Sequence, residues 1–408
     1  MATAPERPKT DQRRTKSALL ALGLLLIGLN LRIGVASIGP VLGDIRNDLG
    51  ITDTAASLLT TIPVVAFGAF AFLTPGLTRR FGLHRLLGAA MVALVAGLLL
   101  RLYPDLAALF AGTVVVGAAI AIANVAMPAA IKRDFSHRAG LMMGLYSTTL
   151  FIGAALASGL TSPLLPVVGG EWRVALGLWA IPAVLAVLLW TPQFRNHRPE
   201  ASPDASKSTN APRFSAILTD PVALAVTVLM GTQSMSYYAT LTWIPTLLTD
   251  NGMDAHTAGW LLSFSAFPGI AASLFTPTLA RTMRPAGLPI VIAVVLTGAG
   301  YAGLALAPTA GAYLWMSLLG LGQGASISLA LTYIVWRSPD AAHTGHVSTM
   351  AQGIGYLFAG LGPLGIGYLH SVSGEWALPI AALGVLLVVQ LVAGLLASRD
   401  RHVSVRRA

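Results

Sequence analysis

Residues 18–45 read ALLALGLLLIGLNLRIGVASIGPVLGDI, an apolar run in which Arg32 is the only charged residue before Asp44. About 20 apolar residues in a helix cross the hydrocarbon core of a bilayer, so this run predicts a membrane-spanning helix. A charged side chain at the centre of such a helix costs about 3 kcal/mol on insertion scales. Arg32 therefore predicts surroundings that offset this cost: water, backbone carbonyls, or an anion that binds and leaves.

The rest of the sequence repeats this apolar pattern. Of the 408 residues, 55% are hydrophobic and 10% are charged, whereas a soluble domain carries about 25% charged residues. Cysteine is absent, which excludes disulfides and thiolate metal sites. We predict an all-α membrane protein with twelve spans, at roughly 18–43, 54–75, 83–102, 105–131, 139–163, 173–191, 220–247, 256–280, 286–306, 310–336, 343–369 and 375–397.

The basic residues favour one side of these spans. If the N-terminus is inside, the inner segments hold 22 of the 26 Lys and Arg, and the outer segments hold Arg46, Arg101 and Arg173. This positive-inside pattern predicts a membrane protein with both termini in the cytoplasm. The net charge of +10 thus reflects topology and contact with membrane lipid rather than nucleic-acid binding. The apolar run after Arg13 and Arg14 is too long for a signal peptide and predicts an uncleaved first helix.

The chain contains an internal repeat. Pro63 and Pro268 are 205 residues apart, and so are Gly117 and Gly322. Gly-Glu-Trp at 170–172 recurs at 374–376. Because each copy holds six spans, an even number, the two copies enter the membrane from the same side and form a parallel repeat. We predict a cytoplasmic tail at 1–17, a six-helix bundle at 18–191, a Pro- and Ser-rich cytoplasmic linker at 192–213, a second bundle at 214–397 and a cytoplasmic tail at 398–408.

Two parallel six-helix repeats are also the arrangement of major facilitator transporters. Residues 76–85, GLTRRFGLHR, resemble the cytoplasmic motif of that superfamily: Gly76, Arg80 and Gly82 match, while Arg79 stands where the superfamily usually has Asp. The resemblance implies a gating loop of Arg79, Arg80 and Gly82. Alternatively, the arginines only anchor the topology.

The first span resembles one branch of this superfamily, the cyanate and 2-nitroimidazole porters. The resemblance is carried by Asn30-Leu-Arg32, by Ser37-Ile-Gly-Pro40 and by the acidic residue that follows, together with the Arg79-Arg80-Phe-Gly82 loop. It implies transport of a small polar or anionic compound by a chain that functions as a monomer. It also implies that spans 1, 4, 7 and 10 line a central cavity, with the substrate site near the midplane.

Arg32 is the strongest candidate for that site, because no Asp or Glu is predicted deep in any span. Its planar guanidinium suits the paired oxygens of carboxylate-like or nitro-like groups. The alternative is an arginine that only binds carbonyls of neighbouring helices. The other candidates for substrate binding are Asn30, Asn124, Tyr146, Gln233, Tyr237, Tyr238, Trp243, Gln323 and Gln352.

Each of these candidates has a structural alternative. Tyr237 is the repeat equivalent of Arg32 and is predicted to face it, but tyrosines also pack with a hydroxyl bonded to a neighbouring helix. Gln233 and Gln323 either orient a ligand or join helices. Asn30 is two residues from Arg32 and points to nearly the opposite side of the helix, which favours packing.

The missing carboxylates argue against a carrier of cationic drugs, because such proteins generally need an intramembrane acid. Multidrug efflux remains the alternative function, and a non-transporting sensor is a third. No phosphate-binding glycine loop or nucleophile elbow is present, so we expect neither an enzyme nor a cofactor. His343 and His346 have helical metal-ligand spacing, but they lie at the predicted surface without further ligands, and we predict no metal site.

Overall fold

The computed structural model describes residues 9–195 and 214–403, and the regular structure in these ranges is helical. The helices are α1 Lys9–Ala36, α2 Leu42–Leu49, α3 Asp53–Ala71, α4 Thr74–Phe81, α5 Leu83–Leu100, α6 Leu106–Asp134, α7 Ala139–Val167, α8 Trp172–Leu178, α9 Ala180–Arg195, α10 Phe214–Leu218, α11 Pro221–Asp250, α12 Ala255–Thr282, α13 Leu288–Leu306, α14 Ala312–Trp336, α15 Ala341–Ala359, α16 Leu361–Ser373 and α17 Ala377–Ser398. Most of the predicted linker, at 196–213, and the ends of both tails lie outside the described residues.

Helices cover all twelve predicted spans, and spans 1, 2, 6 and 11 each consist of two helices. Within the described ranges, nine helical segments are long and apolar enough to cross a membrane, or ten if α3 and α4, bent by 60°, count as one. The other two predicted spans are α11 and α15–α16. Polar side chains, such as Gln233 in α11 and Gln352 in α15, lower the mean hydropathy of these spans. Both side chains are buried inside the molecule.

The packing separates central helices from outer ones. In α14 the most apolar stretch is 83% buried, while on α17 Val385 and Val388 are 67% and 61% exposed. Large exposed apolar side chains are costly in water and favourable against lipid tails. Their distribution therefore places α14 among the inner helices and α17 on the surface facing lipid.

The repeat is visible in the contacts. Two packing contacts join the halves: α3 (span 2) packs on α15 (span 11), and α7 (span 5) packs on α12 (span 8). Each contact joins the second span of one half to the fifth span of the other. The repeated Gly-Glu-Trp has one structural role in both halves. The indole N–H of Trp172 donates to Asp48 at 3.1 Å, and that of Trp376 donates to Asp250 at 2.9 Å. Each tryptophan thus binds the carboxylate at the end of the first span of its own half.

The two copies differ in one packing detail, and one sequence expectation needs correction. Gly117 lies against Pro63, but the glycine that contacts Pro268 is Gly320 rather than Gly322, which packs on Thr297 of α13. A helix has 3.6 residues per turn, so a shift of two positions turns a glycine to a different neighbour. In addition, the expected loop at 76–85 is mostly helical, since α4 continues to Phe81, and Gly82 (φ +81°) ends it.

Candidate functional site

Arg32 lies in α1 and reaches across to the second half of the chain. Its guanidinium Nη1 donates to the hydroxyl of Tyr238 in α11 at 3.3 Å, and the side chain is partly exposed. Within residues 9–195 and 214–403, Arg32 forms no ion pair with a carboxylate. A guanidinium has five donors in a planar fork and no acceptor, so one neutral hydroxyl leaves most of its capacity for another partner.

Aromatic rings surround this guanidinium. The ring of Tyr237 packs edge-to-face on Tyr238 and on Phe151, with centroids 5.6 and 6.4 Å apart. Tyr356 in α15 lies near Arg32, and its ring packs on that of Phe67 with the centroids 5.5 Å apart. These rings supply flat apolar faces and hydroxyl groups beside a single cation, a combination suited to a small planar solute with polar oxygens.

Sequence reasoning missed Phe151 and Tyr356, although the repeat contained the signal. Arg32 and Tyr237 are 205 residues apart, and so are Phe151 and Tyr356. In one half-to-half arrangement Tyr356 lies near Arg32, and in the equivalent arrangement Phe151 packs on Tyr237. The repeat relates these two arrangements. Applying the offset to residues near Arg32 and Tyr237 would have found both rings.

A buried polar network extends from this cluster. The Tyr146 hydroxyl donates to Asn124 Oδ1 at 2.9 Å, and Gln352 Nε2 donates to the backbone oxygen of Asn124 at 2.9 Å and to Ser348 at 2.8 Å. Asn124 Nδ2 and Gln352 Oε1 are buried and have no partner among the described residues. Unpaired buried polar atoms are costly, so this network has hydrogen-bonding capacity for a ligand or water.

Several predicted residues lie elsewhere. Gln323 donates to Thr240 at 2.8 Å and to the Tyr301 hydroxyl at 3.3 Å, within the second half. Gln233 is 3% exposed and bonds Ser234 and the backbone of Met230 on its own helix. Gln323 thus joins helices, which is the alternative stated for it, whereas the bonds of Gln233 stay within α11.

Asn30 and Trp243 also point away from Arg32. Asn30 is 1% exposed and donates to the backbone oxygens of Leu26 and Pro182. Trp243 donates to the Pro363 backbone oxygen at 2.7 Å and packs on Trp376, near the end of α11 that contains Asp250. The opposite orientation of Asn30 follows from its two-residue separation from Arg32.

One basic residue of the outer segments is buried. Arg101 directly follows the end of α5, its side chain is 1% exposed, and Nη1 donates to the Gly34 backbone oxygen at 2.8 Å. Gly34 lies in the last turn of α1, where helix carbonyls lack partners on their own helix. Arg101 therefore caps the end of the helix that contains Arg32.

The comparisons with known proteins agree with this architecture. Residues 20–363 match the Major Facilitator Superfamily. The chain belongs to this superfamily. A solved structure of the Escherichia coli fucose:proton symporter FucP superposes with a TM-score of 0.69 over 93% of this chain and 98% of that one, at 12% identity, which indicates the shared fold.

Relatives in sequence indicate which branch of the superfamily the chain resembles. The chain is 35% identical to the 2-nitroimidazole transporter of Escherichia coli (strain K12) over 94% of this chain and 96% of the relative. It is 32% identical to the cyanate transport protein CynX of the same organism (91% and 96%). It is 39% identical to the uncharacterized transporter YycB of Bacillus subtilis (strain 168) (97% and 97%). The predicted superfamily, its two-repeat helical fold and the resemblance to this branch are confirmed, and this member is a multi-pass membrane transporter rather than an enzyme.

Proposed function

We propose that this transporter carries a small anionic or nitro-bearing solute across the bacterial cytoplasmic membrane, with Arg32 as the cation that binds it. The observation that supports this most is the hydrogen bond of Arg32 to Tyr238 in the other half, with no carboxylate paired to it in the described chain. An anion at this position would offset the cost of a charged guanidinium at membrane depth and accept two parallel hydrogen bonds from it.

The surroundings favour a flat solute of modest size. Tyr237, Tyr238 and Tyr356 present rings and hydroxyls beside Arg32, and Asn124 offers an unpaired N–H within the adjoining network. A cationic drug would meet like charge at Arg32. The names of two relatives, a 2-nitroimidazole transporter and a cyanate transport protein, agree with a solute bearing nitro or anionic groups.

Transport by alternating access fits the contacts between the halves. Lys132 Nζ donates to the Val335 backbone oxygen at 3.2 Å, Gln352 bonds Asn124, and Ser147 bonds Ser328 at 3.0 Å. All three contacts lie on the side of the basic loops, which the positive-inside rule assigns to the cytoplasm together with both termini. We therefore propose that the conformation described here is closed toward the cytoplasm and that transport requires these bonds to break.

Uptake into proteoliposomes tests the function. We expect accumulation of at least one of cyanate, 2-nitroimidazole or a small aromatic carboxylate, loss of that accumulation in Arg32→Ala, and no accumulation of a cationic dye. Dye uptake that survives in Arg32→Ala, without uptake of the three small solutes, would instead identify a multidrug carrier.

A further inference from the structure

A second cavity lies between the two halves, away from Arg32. It has a volume of about 170 Å³ and is bordered by α4 and α6 from the first half and by the first turns of α15 from the second. Its polar lining consists of Thr74, Thr78, Arg79, Arg133 and His346. We infer that this cavity is a binding site for a phosphate-type oxyanion, either free phosphate or the headgroup of an anionic phospholipid.

Charge and unpaired donors support an anion here. Arg79 and Arg133 both border this small space, and Arg133 is also paired with Asp134 at 3.9 Å. Thr74 is 2% exposed, and its hydroxyl has no partner among the described residues; His346 Nδ1 is also buried without one. A hydroxyl left unpaired at this depth costs free energy that an oxyanion would recover.

The carboxylates near the cavity have protein partners, and Arg133 is one of them. Asp134 bonds the His84 ring at 2.8 Å and lies 3.9 Å from Arg133. Asp340 caps α15 and bonds the ring of His343, which holds the pKa of Asp340 below its usual value. Both acids therefore have protein partners of their own.

The cavity can receive a group without rearrangement of α15. A Cβ added at Gly345, which lines the cavity, would meet no atom within 4 Å. An oxyanion bound there would contact α4 and α6 on one side and α15 on the other, and would thus hold the halves together at the end of the basic loops.

The test uses the purified full-length protein in a neutral detergent. Inorganic phosphate is titrated against chloride at constant ionic strength, and the unfolding temperature is followed. We expect a saturable rise, with an apparent affinity at least about tenfold weaker in Arg79→Gln and in the cavity-filling Gly345→Leu. The matched control is Arg80→Gln, because Arg80 lies over the Phe81 ring and does not border the cavity.

A second arm identifies the source of the phosphate group. In nanodiscs of phosphatidylcholine with or without phosphatidylglycerol, an Arg79-dependent stabilisation by phosphatidylglycerol, without one by free phosphate, assigns the site to a lipid headgroup. The inference is overturned if neither probe stabilises the parental protein, or if Arg79→Gln and Arg80→Gln weaken the effect equally. Arg32→Ala removes the proposed substrate site and is expected to leave phosphate or lipid binding at the Arg79 cavity unchanged. Failure of the substrate proposal can therefore be told apart from failure of this inference.

Discussion

In the described chain, Arg32 bonds a hydroxyl from the opposite half and pairs with no carboxylate, which leaves its guanidinium able to bind an anion. A fixed acid would neutralise the arginine permanently and compete with any anionic solute. The neutral hydroxyl of Tyr238 orients the guanidinium without neutralising its charge, so an anionic solute can replace this hydrogen bond. This argument concerns one side chain and gives two predictions at the same scale.

The first prediction compares the two adjacent tyrosines. Tyr238→Phe removes the acceptor of the Arg32 hydrogen bond, and we expect the apparent affinity for the transported solute to fall about five- to tenfold. Tyr237 contributes ring contacts with Phe151 and Tyr238, which Tyr237→Phe keeps, so we expect less than about a twofold change. Solute binding by calorimetry measures both. Equal losses in the two variants would show that the hydroxyl of Tyr238 has no special role.

The second prediction separates packing from binding. Asn30→Ala removes hydrogen bonds to the Leu26 and Pro182 backbone oxygens, at a cost of about 1–3 kcal/mol of stability. We expect the apparent melting temperature to drop by several degrees while the solute affinity stays at the parental value. An affinity loss comparable to that of Arg32→Ala would instead place Asn30 in the binding site.

The sequence could predict the isolated charge of Arg32 because charge and depth are properties of a single position. It could not predict that Gln323 bonds Thr240 or that Gln233 bonds Ser234, because those bonds depend on the rotation of each helix about its axis. Hydrophobic periodicity sets that rotation in soluble helices, but it is weak in helices that are apolar on nearly every face.

At the scale of helices, small residues decide how closely neighbouring elements approach. Gly324 of α14 lies against the backbone of Gly269 in α12, and Gly320 lies against Ser265 of the same helix. Close backbone contact of this kind replaces the hydrophobic driving force that is missing between helices in lipid. The sequence shows these glycines but not their neighbours. Gly322 is the repeat equivalent of Gly117, yet it is Gly320 that contacts Pro268, the repeat equivalent of Pro63.

The third prediction tests this contact. Gly324→Ala adds a Cβ that would clash with the Gly269 backbone, so we expect α12 and α14 to separate and the apparent melting temperature to fall by several degrees. The control is Gly384→Ala on α17, where the new Cβ meets nothing within 4 Å and helix propensity improves. Thermal unfolding of both variants in the same detergent is the measurement. A neutral Gly324→Ala would argue against tight packing at this crossing.

At the scale of the whole molecule, the two halves are joined by a small set of polar contacts that cross between them. Gln352 bonds Asn124, and Ser147 bonds Ser328 and the Ser273 backbone; Gln352 and Ser147 are repeat equivalents at an offset of 205. The duplication was therefore sufficient to predict that both residues occupy corresponding positions. Their actual partners required the structure, because contacts between halves depend on the conformation that the transporter adopts.

The fourth prediction concerns this closure. The double variant Gln352→Ala, Ser147→Ala removes bonds between the halves, and we expect the population to shift toward opening on the side of the basic loops. The matched control is Gln390→Ala, a buried amide that bonds Ser326 within its own half. Because the chain has no cysteine, a cysteine introduced at Ala129, which is 4% exposed, is the only thiol available for labelling. Faster maleimide labelling is expected in the double variant alone, and unchanged labelling would contradict the proposed closure.

Both halves contribute to the proposed substrate site, since Arg32 comes from the first span and its partner Tyr238 from the seventh. In this proposed site, Arg32 supplies most of the binding energy for an anionic or nitro-bearing solute. Calorimetric titration of the transported solute into the parental protein and into Arg32→Lys and Arg32→Gln tests this most directly. We predict affinity losses of at least about tenfold in Arg32→Lys, which keeps the charge but not the planar fork, and a larger loss in Arg32→Gln. Parental affinity in both correctly folded variants would contradict the claim.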